Sequence, residues 1–203
     1  MSKEIVSYYE KFDEIEKKIW SLLTNAVTDR NSEFRTPVFI CGNDKDLDGR
    51  VVVLRKADQK NNFVQYHSDI RSSKIEKIKK NPNCSILFYG KQEKIQLRLK
   101  TECKIHFGDE ITKECWEKTG HISRKCYLVT NGPGTISEKP TSGLDNKFDN
   151  FDFTKEESEK GYKNFSVIRC KIKSIEWLYL AAKGHRRALI NLKGPKKFTW
   201  LVP

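Results

Sequence analysis

The chain has 203 residues, 39 Lys and Arg against 27 Asp and Glu, a formal charge of +12 and 37% hydrophobic residues. Its 4 Trp, 7 Tyr and 11 Phe supply enough apolar bulk for a core, which excludes a disordered chain. No run approaches eighteen apolar residues and Met1-Ser-Lys-Glu has no apolar signal region, so neither a membrane span nor a secretory leader is expected.

Residues 3 to 26 carry apolar positions at three- and four-residue steps (Val6, Tyr9, Phe12, Ile15, Ile19, Leu22, Leu23), which predicts an amphipathic N-terminal helix within 1–27. Strand signals follow over Phe34 to Cys41, Arg50 to Lys56 and Phe63 to Ser68, with turn chemistry over Gly42 to Gly49. Ser72 to Lys80 reads as a short helix with Ser72 or Ser73 as its N-cap, ended by Asn81-Pro82. Cys84 to Tyr89 and Lys94 to Phe107 are strands. In the second, Ile95, Leu97 and Leu99 point one way and Gln96, Arg98 and Lys100 the other.

Helices are expected at Asp109 to Lys118 and Ser123 to Leu128, and a long irregular stretch over 129–161. Strands at Phe165 to Glu176, Trp177 to Ala181, Arg186 to Leu192 and Phe198 to Val202 close the chain. With no repeat and no linker, the pattern predicts one domain over 1–203: mainly β, a barrel with added helices.

The six cysteines (Cys41, Cys84, Cys103, Cys115, Cys126, Cys170) form no C-x-x-C pair. Buried free thiols in a reducing cytoplasm are expected, and no metal site. The positive charge is spread along the chain and reads as a lysine-rich solvated surface, not a nucleic-acid-binding arm. Only around residues 50 to 74, 96 to 98 and 186 to 187 does the sequence support part of it attracting phosphorylated small molecules.

The first of these regions carries the chemistry. Arg50-Val-Val-Val-Leu-Arg55 is a β-branched run with a cation at each end. His67-Ser-Asp-Ile-Arg-Ser-Ser-Lys74 is a hydroxyl-rich basic turn opening a helix. Hydroxyls and helix-start N–H groups donate to a phosphate, while Arg and Lys supply charge. Each residue alone has a plainer reading: a surface charge, a helix cap, a solvated strand face. Arg50 and Arg55 are five apart, so a regular strand would turn them to opposite sides.

The order strand, strand, Ser/Lys turn, helix, Asn-Pro, strand, Gln-bearing strand resembles the flavin-binding split-barrel family typified by pyridoxamine 5'-phosphate oxidase. Gln96-Leu-Arg98, Pro133-Gly134 with Pro140-Thr-Ser-Gly-Leu144, His185-Arg-Arg187 and Trp200-Leu-Val-Pro203 extend it toward an FMN-binding subgroup, not the biosynthetic oxidase itself.

The resemblance implies an FMN-binding split β-barrel. In it Arg50 and Lys74 neutralise the cofactor phosphate and Ser72 or Ser73 donates to it. Val51, Val52, Val53 and Leu54 lie beside the ring, His67 and Ser68 contact the cofactor, and Gln96, with Arg98 on the same strand, meets its polar edge. It also implies a homodimer with FMN at the interface and a small-molecule substrate. Arg55, Arg124 and Arg186 are the expected substrate contacts, and His185 a possible proton handler.

The biosynthetic oxidase's Tyr, Arg and Ser on the helix after the Gln strand are not matched; Trp116, Gly120 and Arg124 fall there instead. Its Arg-x-His-Asp-Arg is replaced by Arg186-Arg-Ala-Leu-Ile190. An FMN-dependent oxidoreductase is therefore expected, with a non-catalytic FMN or phosphorylated-ligand binder as the alternative. No residue stands out as a catalytic acid or base.

Overall fold

A computed structural model describes residues 7–150 and 153–203. The start of the expected N-terminal helix, Val6 included, lies outside the described residues, as do 151 and 152 in the expected long loop. The helix itself, α1 (Phe12–Thr28), begins after a short 3-10 turn. Asp13 and Glu14 in its first turn favour the positive end of its dipole. Ile15, Ile19, Trp20, Leu23 and Ala26 form its buried stripe.

Next come β1 (Val38–Asn43), β2 (Asp46–Val51), β3 (Lys56–Asp58), β4 (Phe63–Asp69), α2 (Ser73–Lys80), β5 (Asn83–Gly90) and β6 (Ile95–His106). They are followed by α3 (Glu110–Glu117), α4 (His121–Arg124), α5 (Asn146–Asp149), α6 (Lys155–Ser158), β7 (Phe165–Tyr179), β8 (Arg186–Asn191) and β9 (Lys197–Leu201). The fold is mostly antiparallel β with several helices, as expected.

The described residues form one nine-stranded sheet in the order β2-β1-β5-β6-β7-β4-β3, with β8 on the far half of β7 and β9 beyond it. A register shift between Lys100 and Thr101 bends β6 against β7. Below the bend β7 pairs with β4; above it, with β8. The sheet curls without closing. Residues 52–55 cross the gap: Val52 and Leu54 donate their N–H groups to the carbonyls of Pro37 and Arg35, and Arg55 donates to Gln65. No helix among the described residues is long and apolar enough to cross a membrane.

Several boundaries differ from the expectation. The strand expected over Arg50 to Lys56 ends at Val51 and resumes at Lys56, because 52–55 bridges two edges instead of pairing along one. The expected turn at Gly42 to Gly49 is largely strand: Asn43 pairs with Asp46. Phe34 sits in a 3-10 turn, not a strand. The two strands expected over 165 to 181 are one, and the irregular stretch over 129–161 contains α5 and α6. The alternation in β6 is as read: Ile95, Leu97 and Leu99 are buried, whereas Gln96 is partly exposed and Arg98 and Lys100 are exposed.

Candidate functional site

Arg50 pairs with core residue Phe39, so its side chain leaves β2 on the inner side of the sheet and meets the start of α2. Nη1 donates to Ser72 Oγ at 3.3 Å and Nη2 to Ser73 Oγ at 3.2 Å, and Asp48 pairs with the same guanidinium. Lys74 Nζ donates to Ser68 Oγ at 2.8 Å and Ser72 Oγ at 3.1 Å.

Ser72 occupies the N-cap, but its hydroxyl does not cap the helix; it accepts from both cations. Two positive groups thus converge on three serines at a helix start. Burial and the nearby Arg50 pull the Lys74 amine down to about 8. Arg50 Nε is buried with no hydrogen-bond partner. An unused buried donor and an ammonium held below its usual range are features that a bound anion would relieve.

Ser68 and His67 face opposite sides of β4. His67 lines a cleft of about 290 Å³ with Arg55, Lys56, Gln65, Cys115, Lys118, Ser123 and Arg169. Burial, with Arg55 adding repulsion, holds the His67 imidazole down to about 3, so it is neutral at physiological pH. Arg169 Nε donates to Gln65 Oε1 at 2.9 Å, and the Arg169 guanidinium lies 4.9 Å from the Phe63 ring centre. Arg50 and Arg55 therefore serve different places, as their spacing suggested.

Gln96 and Arg98 lie elsewhere again. Register links Arg98 to Leu87, Val38 and Val51 on one side and to Glu176 and Leu189 on the other. That row is the outer face of the sheet. Arg50 shares its row with Phe39, Ile86 and Leu99, the core face. Within one protomer, Gln96 cannot join the Arg50–Lys74 cradle. Arg98 and Arg187 both pair with Glu176 on this outer face.

Residues 17–107, which carry the cradle, match the family model for the pyridoxamine 5'-phosphate oxidase FMN-binding domain. Over that stretch the chain is similar to the FMN-binding domain of the pyridoxamine 5'-phosphate oxidase family. FMN is the cofactor that goes with it.

A pyridoxamine 5'-phosphate oxidase-related FMN-binding protein from Nostoc punctiforme shares the fold with a TM-score of 0.72 at 15% identity, over 99% of this chain and 100% of that one. PhzG from Burkholderia lata, solved with tetrahydrophenazine-1-carboxylic acid, gives 0.73 at 13% identity over 99% and 98%. ChuZ from Campylobacter jejuni gives 0.53 at 12% identity, covering 92% of this chain and 63% of its own. A comparison with curated proteins finds no match.

The cradle of this oxidase-like domain fits the cofactor's phosphate in charge and donors. Beside it, Val51 is exposed and Leu54 buried. Between the two bridging donors Val52 and Leu54, the Val53 N–H has no hydrogen-bond partner among the described residues.

Two expected substrate residues stand apart. Arg124 is 2% exposed, pairs with Glu159, and donates to the carbonyls of Thr119 at 2.9 Å and Trp116 at 2.8 Å. It binds α3, α4 and α6 together. Arg186 lies at the start of β8, with Nη1 donating to its neighbour's carbonyl and Nη2 3.7 Å from Glu10.

Sequence reading missed Asp48, Gln65, Lys118 and Arg169. Asp48 was within reach, since two residues before Arg50 on a strand means the same face. The other three are brought together only by β4–β7 pairing and the packing of α3.

Proposed function

We propose that the protein is an FMN-dependent oxidoreductase for a small anionic substrate, folded as one domain and working as a homodimer with the cofactor at the interface. The observation that carries this is the Arg50–Lys74 cradle, with its unpartnered Arg50 Nε and depressed Lys74. The chemistry the cofactor supplies when bound is hydride transfer.

The chain's own residues have separable tasks. Arg50, Lys74, Ser68, Ser72 and Ser73 hold the phosphate. The main chain of Val52 to Leu54 flanks the ring. Arg55, Lys118 and Arg169, around the cleft that His67 lines, draw in an anion. The carboxylic acid held by PhzG supports an organic carboxylate as one form of that anion.

Neutral His67 can donate or accept one hydrogen bond there but carries no charge. A dimer is supported by the outer sheet face: Val51 is 63% exposed and Tyr89 49%, next to Arg98 and Gln96. A second copy laid against that face would cover these exposed side chains. The match with the Nostoc protein over 99% of the chain supports a single domain. The free cysteines support a reducing, cytoplasmic setting.

The second reading, an FMN binder without turnover, is favoured by Arg124, which is committed to internal partners. Titration with FMN and with riboflavin, followed by anaerobic mixing with NADPH, separates the readings. Tight FMN and weak riboflavin binding with flavin bleaching supports the oxidoreductase. Binding without bleaching by NADPH or other reductants supports the binder. No FMN binding sinks both.

A further inference from the structure

Three buried thiols line up across neighbouring strands. Cys84 on β5, Cys103 on β6 and Cys170 on β7 are exposed by 5%, 6% and 0%. Cys103 and Cys170 are register partners, and their Sγ atoms are 3.1 Å apart. Directly opposed residues on antiparallel strands have Cα atoms about 4.5–5.5 Å apart, within the span of a disulfide.

Cys84 faces Thr101, which makes it diagonal to Cys103. Its thiol hydrogen-bonds that of Cys103, but diagonal neighbours have Cα atoms about 7–8 Å apart, so a bridge there would need the backbone to move. Cys84 and Cys170 have a whole strand between them. Register thus opposes Cys103 directly to Cys170, while Cys41, also buried, neighbours Cys84 on its other side.

We propose that Cys103 and Cys170 are an oxidisable dithiol that closes into a cross-strand disulfide on exposure to a peroxide. The ionised sulfur of Cys103 attacks one peroxide oxygen, the O–O bond breaks, and a sulfenic acid and water result. The Cys170 sulfur then attacks the sulfenic sulfur, the S–O bond breaks, and a second water leaves. In sum, two thiols and one hydrogen peroxide become one disulfide and two waters, with two electrons passing from sulfur to oxygen.

Cys103 is the entry point. It keeps 6% exposure against 0% for Cys170 and lines a cleft of about 640 Å³ shared with Phe63, Lys104, Arg169 and Lys171. At rest its hydrogen bond with Cys170 raises the Cys103 thiol far above its ordinary range. Closure is therefore slow, requires excess peroxide, and spares the pair in a reducing compartment. This inference stands apart from the FMN reading.

The test uses the full chain treated with hydrogen peroxide, denatured in a thiol-blocking reagent, digested without reductant and mapped by mass spectrometry. The expected result is a Cys103 peptide joined to a Cys170 peptide and separated again by dithiothreitol. The apparent melting temperature should rise by roughly 5–10 °C, and Cys84→Ser should retain the link. If that variant fails to fold, the wild-type map still names the pair. A link through Cys84, links only between chains through exposed Cys126, or Cys103 and Cys170 recovered unlinked would overturn the proposal.

Discussion

Two arginine sites in this molecule share most of their ingredients and differ in one. Arg124 and Arg50 each pair with a carboxylate, Glu159 and Asp48, and each donates to a serine hydroxyl. At Arg124 the remaining donors end on the carbonyls of Trp116 and Thr119, and the guanidinium lies 4.6 Å from the Trp116 ring centre. At Arg50 one donor is buried and unused, and a second cation, Lys74, donates to the same Ser72 hydroxyl. Burial of a charge does not distinguish a binding site from a structural clamp. The tally of satisfied donors does, because an unmade buried hydrogen bond has a cost that a ligand can remove.

The sharpest break between the two sites is Arg124→Ala. It strips partners from two carbonyls and leaves a void beside Trp116, which should cost about 3 kcal/mol. For a chain of this size that is a fall of roughly 6–12 °C in melting temperature, read by thermal denaturation. FMN affinity of the folded protein should not change. Intact stability with lost FMN binding would reverse the assignment.

Arg50→Ala should do the opposite. A charge-assisted contact worth roughly 1.5–3 kcal/mol is lost, so FMN binds about ten- to a hundredfold more weakly by flavin fluorescence titration. Riboflavin affinity and melting temperature should hardly move. Equal losses for both ligands would put the phosphate elsewhere.

A smaller effect is expected from pH. Lys74 titrates near 8 in the folded chain and near 10.4 unfolded. Between those values the unfolded chain holds the extra proton, so without FMN stability gains from Lys74 as pH rises through that window. FMN affinity should fall over the same range, because the phosphate needs the charged amine. Lys74→Met should flatten both limbs, as measured by titrations from pH 7 to 10; an unchanged limb would remove Lys74 from the cradle.

The smallest effect belongs to His67. Its folded value of about 3 lies below the unfolded 6.5, so below about pH 6.5 the unfolded chain takes up a proton that the folded chain refuses. Stability contributed by the neutral ring is lost as pH falls through that window. Urea midpoints at pH 7.5 and 5 should converge in His67→Gln, and an identical acid slope would mean that the ring is not held neutral.

Much of this was legible in the residues because period and punctuation are local. The period-2 pattern of β6, the helical stripe of α1 and the Ser-Ser-Lys opening of α2 each depend on a few consecutive side chains. The resemblance rests on the order of such pieces, which is also a property of the chain alone. What was misread is non-local. The run from Arg50 to Lys56 has strand composition throughout, yet it bridges two sheet edges. Nothing within it encodes the distance between those edges. Arg124 has the composition of a ligand-binding arginine and becomes a clamp because α6 brings Glu159 beneath it.

The amino-acid sequence by itself determined the alternation of buried and exposed positions, the placing of the serine–lysine turn at a helix start, and hence the chemistry on offer to a phosphate. Only the tertiary structure decided which cations meet. It turned Arg50 inward and Gln96 outward, set His67 and Ser68 on opposite sides of one strand, and opposed Cys103 to Cys170. The physical reason is that strand pairing and curvature fix these relations across long separations, where one step of register carries a side chain to the other face.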